Sequence, residues 1–295
     1  MEPMIIVTLS LGAPTLLGAA MAAAVYAGLF PPTPRDLGGA RDLDAEAEKV
    51  QIPMPGGDRL DAWFIAGAHP VAILLLHGFG RTHHRMWRYA AFLRAAGHPM
   101  LAIDFRSSRR ARRVPTTLGR LEREDARAAL EWLAARAGVK RVAVMGESLG
   151  ATTALLVAGD DPRVVAVIAD CPFADGQGAV EDLLGRFLHL PRGSAAGARV
   201  LGRWATGHDL YDVDAEPAAA GLRNRPILFI HSLGDRRLAP EHTERLWRAA
   251  GSKDPVWWAP AAGHNQAWLR HRREYERRVT RFLDWALADR GSAPS

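Results

Sequence analysis

From about Lys49 onward, apolar residues follow two alternating rhythms along the chain. The first is the short continuous run. Residues 71–76 read Val-Ala-Ile-Leu-Leu-Leu with no polar position, as a strand buried on both faces of a parallel sheet requires. Similar runs at 99–105, 141–145, 164–169, 227–230 and 256–258 predict further strands. The second rhythm is helical. Leu118, Leu121, Ala126, Ala129, Leu130 and Leu133 recur mostly at three- and four-residue steps and so share one face. Residues 149–158 are small and apolar nearly all round, which suits a helix packed tightly on a sheet. Tyr275, Val279, Phe282, Leu283 and Ala286 give a final helix one apolar stripe. Alternation of this kind predicts an α/β fold, a mostly parallel central sheet with helices on both faces.

Two stretches break the rhythm. Residues 174–224 contain Gly185, Pro191, Gly193, Gly197, Gly202 and Gly207, with Leu183, Leu184, Phe187, Leu190 and Trp204 scattered among them. They read as a small helical cap inserted over the carboxyl ends of the strands. Residues 4–30 carry no charge and are long enough for a membrane-spanning helix, which Pro31, Pro32 and Pro34 would end. The expected organisation is a transmembrane or signal-anchor segment over 1–30, a linker over 31–47 and a globular domain over 48–290. Localisation would then be single-pass in the membrane. Arg35 and Arg41 after the run favour a cytoplasmic domain, while orientation is otherwise undetermined. A cleaved leader is the alternative, with Val25-Tyr26-Ala27 as its site, although Glu2 and the lack of a basic start do not suit one.

Composition narrows the function. A chain with 48% hydrophobic and 24% charged residues reads as folded rather than disordered. Its one cysteine, Cys171, excludes an internal disulfide or a cysteine-based metal site. The net charge of +6 comes with arginine runs at Arg106, Arg109, Arg110, Arg112 and Arg113, and at Arg270, Arg272, Arg273, Arg277, Arg278 and Arg281. They read first as solvated surface, and second as attraction to anionic headgroups or an anionic substrate. No nucleic-acid-binding signature is present, so nucleic acid is not an expected partner.

The chemistry centres on Gly146-Glu147-Ser148-Leu149-Gly150. It follows a predicted buried strand and opens a predicted helix, which is the setting of a nucleophile elbow. Glycines there allow a turn too sharp for side chains, and Ser148 would be the nucleophile. A serine hydroxyl needs a base. His264, in the loop between the last strand and the final helix, is the candidate. His242 and His271 read as surface residues, and His77 and His231 as structural. The base needs a carboxylate to hold its tautomer. Asp235, just after a strand, is the choice, with Asp170 as the alternative. An oxyanion hole needs two backbone N–H groups. Leu149 would supply one, and Phe79, in His77-Gly78-Phe79-Gly80, the other.

These motifs, together with Asp104-Phe105-Arg106, Gly234-Asp235 and Gly263-His264, resemble the α/β-hydrolase superfamily over residues 50–288. Thr116-Thr117-Leu118-Gly119, Asp170-Cys171-Pro172-Phe173 and the Glu274-Tyr275 region are similar to its bacterial prolyl-oligopeptidase and serine-aminopeptidase branch, which often carries an N-terminal membrane segment. The resemblance implies a serine hydrolase with the chain order Ser148, Asp235, His264 and with no metal or organic cofactor. Its expected partner is a small-molecule or lipid-like acyl substrate, with the N-terminal segment in the membrane. Carboxylic ester cleavage is the first reading. Peptidase or amidase activity, thioesterase activity and a non-catalytic binding protein of the same fold remain alternatives. One departure bears on substrate: the family commonly continues Gly-x-Gly-x-Ser after Asp-x-Arg, where this chain has Ser107-Ser108-Arg109-Arg110.

Overall fold

Residues 23, 25–30, 46–108, 114–136, 138–190, 194–252 and 256–288 are described by the structure, a computed structural model. Its strands are β1 (Glu48–Pro53), β2 (Arg59–Ile65), β3 (Val71–Leu76), β4 (Met100–Ile103), β5 (Arg141–Glu147), β6 (Val164–Asp170), β7 (Ile227–Ser232) and β8 (Trp257–Ala259). They form one sheet in the order β1-β2-β4-β3-β5-β6-β7-β8. The pairings from β4 to β8 are all parallel, whereas β1 and β2 join antiparallel at one edge. The α/β expectation therefore holds.

Helices cover both faces. They are α1 (His83–Ala95), α2 (Arg120–Ala134), α3 (Leu149–Asp160), α4 (Gly176–Asp182), α5 (Ser194–Thr206), α6 (Glu216–Gly221), α7 (Pro240–Ala250), α8 (Ala267–Arg270) and α9 (Arg272–Leu287). The unbroken apolar run of β3 follows from this double cover. Leu74 and Leu76 pack into one core with Leu130, Leu133 and Leu155. Ile73 and Leu75 face the opposite way, into a second core with Trp87, Tyr89, Tyr275 and Phe282. Each large side chain withdrawn from water in this way contributes about 1.5–3 kcal/mol, which is why β3 tolerates no polar position.

Three local features depart from the sequence reading. The edge pair β1–β2 is added; β2 alternates buried and partly exposed positions along its length, so it lacks a continuous apolar run. The strand read over 99–105 stops at Ile103, because Asp104 leaves the sheet to accept the His83 backbone N–H at 2.6 Å and anchor the start of α1. The helix read from Leu118 starts at Arg120, because Leu118 and Gly119 have φ of 54° and 120°.

The membrane-spanning segment expected within residues 1–30, with the single-pass membrane localisation and the membrane partner drawn from it, is corrected. Among the described residues no helix is long and apolar enough to cross a membrane. Residues 1–22 and 24, and residues 31–45 of the linker expected over 31–47, lie outside the described residues. The described end of the apolar run packs on protein. Residues 25–29 are helical, Leu29 is buried, and its carbonyl accepts from the Thr116 N–H at 2.9 Å. Hydropathy alone does not distinguish apolar residues that face lipid from apolar residues that cover a protein surface.

Candidate active site

The turn from β5 into α3 places Ser148. Its φ of 51° and ψ of −116° lie outside the usual regions for a residue with a side chain, a strain typical of functional turns. The flanking glycines make this turn sterically possible. A Cβ on Gly146 would lie 2.2 Å from the Gly150 carbonyl oxygen, and one on Gly150 would lie 2.1 Å from that of Leu76. The Ser148 N–H donates to the Asp170 carbonyl at 2.8 Å, tying the turn to the end of β6.

His264 sits in the loop after β8 and bridges two partners. Its Nε2 lies 2.9 Å from Ser148 Oγ and its Nδ1 lies 2.6 Å from Asp235 Oδ2. The other Asp235 oxygen accepts the Arg237 N–H at 2.8 Å and the Leu238 N–H at 3.0 Å. Burial raises the Asp235 pKa, but the His264 hydrogen bond and charge and these backbone donors outweigh it, leaving the carboxyl below its ordinary value. Asp170 stands apart. Its side chain accepts from the Tyr275 hydroxyl at 3.0 Å, and burial pushes its pKa up to about 6.

The two amides singled out for an oxyanion sit beside the serine. Leu149 opens α3, where N–H groups lack intrahelical partners. Phe79 follows Gly78, where a Cβ would come within 3.5 Å of the Ser148 Cβ. Among the described residues neither amide donates to another backbone carbonyl.

Beneath the serine lies a polar network that the sequence reading missed. Glu147, the variable position of the glycine-serine motif, is buried and is hydrogen-bonded by Tyr89. Its Oε2 accepts from Arg85 Nε at 3.1 Å, and its Oε1 lies 2.7 Å from an Arg88 guanidinium nitrogen. Burial raises the Glu147 pKa more than Arg88 and Tyr89 lower it. Arg85 also donates to the Asn265 carbonyl at 3.0 Å, while the Asn265 amide donates to the Asp170 carbonyl at 3.0 Å. The loop bearing His264 is thereby clamped to both β5 and β6. The sequence signal was an acid inside a turn whose neighbours are all buried.

The other histidines divide differently from the expectation. His77 and His231 are structural as read, and burial pulls His231 down to about 4. His242 is buried rather than on the surface, accepting the Ala174 N–H at 3.2 Å. It faces the segment between β6 and β7, whose contacts with α7 are not legible from α7 alone.

Cys171, Asp235 and His264 bring ligand-type atoms within 4.8 Å of one another. They suit a metal poorly. Burial holds the Cys171 thiol well above its ordinary value, a metal takes the thiolate, and Asp235 and His264 are already engaged with each other.

The serine opens into a cleft of about 290 Å³. Gly78, Phe79 and Arg81 come from the loop after β3, Gly234, Arg236 and Arg237 from the loop after β7, and Phe187 from the segment between β6 and β7.

A sheet of this order with a positive-φ serine at the end of β5 is the α/β-hydrolase fold, and a family profile described as alpha/beta hydrolase fold matches residues 71–202. Phe79, Ser148 and Leu149 lie within that stretch, and Asp235 and His264 lie beyond it. Among curated proteins the chain is similar to YqkD of Bacillus subtilis, 27% identical over 249 residues that make up 81% of this chain and 80% of that one. Among solved structures it superposes on an esterase of Pyrococcus furiosus with a TM-score of 0.71 at 21% identity, covering 88% of this chain and 98% of that one. An acylaminoacyl peptidase of Pyrococcus horikoshii gives 0.64 at 16%, covering 84% of this chain and 43% of that one. At these identities the structural likeness speaks for the fold.

Proposed function

We propose that the protein is a serine hydrolase that cleaves carboxylic esters, with Ser148 as nucleophile, His264 as base and Asp235 as the acid that orients it. The observation that carries this reading is His264 itself, with one ring nitrogen at the Ser148 hydroxyl and the other at the Asp235 carboxylate. An ionised Asp235 fixes the proton on Nδ1 and leaves Nε2 free to accept. In the first step Nε2 takes the Ser148 proton as Oγ bonds to the substrate carbonyl carbon. The carbonyl oxygen gains the negative charge and is held by the Phe79 and Leu149 amides. The carbon–oxygen bond to the alcohol then breaks, and His264 returns its proton to that alcohol. Water repeats the sequence, and Ser148 Oγ is the leaving group of the second half.

Ester rather than peptide cleavage is the first choice because the chain covers the esterase neighbour almost end to end and the peptidase neighbour over 43% of its length. The test is turnover of p-nitrophenyl butyrate by purified protein and by Ser148→Ala, with folding checked by circular dichroism. Loss of turnover in a folded variant is expected. Equal turnover in both would remove Ser148 from the mechanism.

A further inference from the structure

The cleft carries more arginine than its acyl-transfer chemistry uses. Arg81 follows the Phe79 loop, and Arg236 and Arg237 follow Asp235. In the sheet, β3 and β7 lie on opposite sides of β5, so these arginines approach Ser148 from two walls. Glu147 is the acid in the lining, and its carboxylate is engaged by Arg85, Arg88 and Tyr89. Among the described residues no carboxylate lies within ion-pair distance of Arg81, Arg236 or Arg237. Several exposed arginines elsewhere are paired: Arg199 with Asp209 at 2.7 Å, Arg245 with Asp175 at 2.6 Å and Arg277 with Glu274 at 2.7 Å. Arg237 lies over the Phe187 ring, 4.8 Å from its centroid.

Cations gathered in a concave site repel one another, focus a positive potential there and await an anion. Guanidinium groups match carboxylate and phosphate oxygens in a paired geometry. Phe79, Phe187 and Leu269 supply apolar wall beside them. We propose that the cleft selects acyl substrates bearing an anionic group, carboxylate or phosphate, a few bonds beyond the scissile carbonyl, with Arg81, Arg236 and Arg237 as the recognising groups. This rests on the hydrolase reading of Ser148 and adds the substrate class.

The test separates binding from turnover. Full-length Ser148→Ala protein is titrated calorimetrically with dimethyl adipate, with monomethyl adipate and with methyl 5-phosphonopentanoate. At least one acid should bind about tenfold or more tightly than the diester, and the acid that gains more identifies the anion. The gain should shrink at about 0.5 M salt, and the ratio of acid to diester affinity should fall toward one when Arg236→Gln and Arg237→Gln are added. Equal affinity for all three ligands, or a preference untouched by the two substitutions, would overturn the proposal. Native protein that shows the same preference yet hydrolyses no ester would sink the hydrolase reading alone.

Discussion

The His77 imidazole fixes the direction of the Gly78 carbonyl. His77 Nε2 accepts the Phe105 backbone N–H at 3.1 Å, so the ring proton sits on Nδ1 and is donated to the Gly78 oxygen at 2.8 Å. Burial pulls the His77 pKa down and keeps the ring neutral. A trans peptide is planar, so a fixed Gly78 carbonyl aims the Phe79 N–H the opposite way.

From this, His77→Leu is expected to lower kcat for p-nitrophenyl butyrate by about tenfold to a hundredfold, less than outright removal of an oxyanion donor because the Phe79 amide is misaligned and not lost. KM should change little, because the donor acts on charge that develops after binding. Steady-state kinetics checks this. An unchanged kcat would mean the Phe79 amide does not need His77 or does not serve as a donor.

Asp235→Asn should cost more. An amide can present its NH2 to His264 Nδ1, which then places the imidazole proton toward Ser148 and removes the acceptor. A fall in kcat of about 10³–10⁴ is expected with the fold intact. A fall of less than tenfold in a folded variant would assign the supporting acid elsewhere.

Gly150→Ala tests the turn. The added methyl would meet the Leu76 carbonyl oxygen, a backbone atom of the central strand that has nowhere to go. Destabilisation of more than about 4 kcal/mol, or failure to fold, is expected in urea unfolding. A variant within about 1 kcal/mol of the parent would show that α3 can move away from β3.

How much of this was legible beforehand depends on the kind of signal. β3 and α3 are apolar nearly throughout, so their burial could be read directly, and the glycines around Ser148 exposed the turn. Asp235 and His264 were singled out because each lies in a loop that follows a strand-like run. The β1–β2 edge left a weaker trace, since a strand with one face toward solvent mixes polar and apolar positions. The clamp through Arg85, Glu147 and Asn265 joins residues as much as 180 positions apart, and no local pattern marks such a contact. The membrane expectation failed for the opposite reason: a strong local pattern carries no information about what its residues touch.

Asp170 gives a stability test with a definite sign. Burial raises its folded pKa to about 6 from an ordinary 3.8. The folded state therefore holds a proton that the unfolded state has released. The associated stability is fully present below the ordinary value and is lost as pH rises through about 6. Asp170→Asn cannot titrate, so its stability relative to the parent should improve by about 2 kcal/mol between pH 4 and pH 8. Urea unfolding at several pH values measures it, and a difference flat with pH would place Asp170 outside the titrating network.

The relay from Asp235 through His264 to Ser148 is tested most directly by where an activity-based reagent lands. Native protein treated with a fluorophosphonate and analysed by peptide mass spectrometry should carry the adduct on Ser148, and a folded His264→Ala variant should label far more slowly. An adduct on another residue, or equal labelling rates in the two proteins, would contradict it.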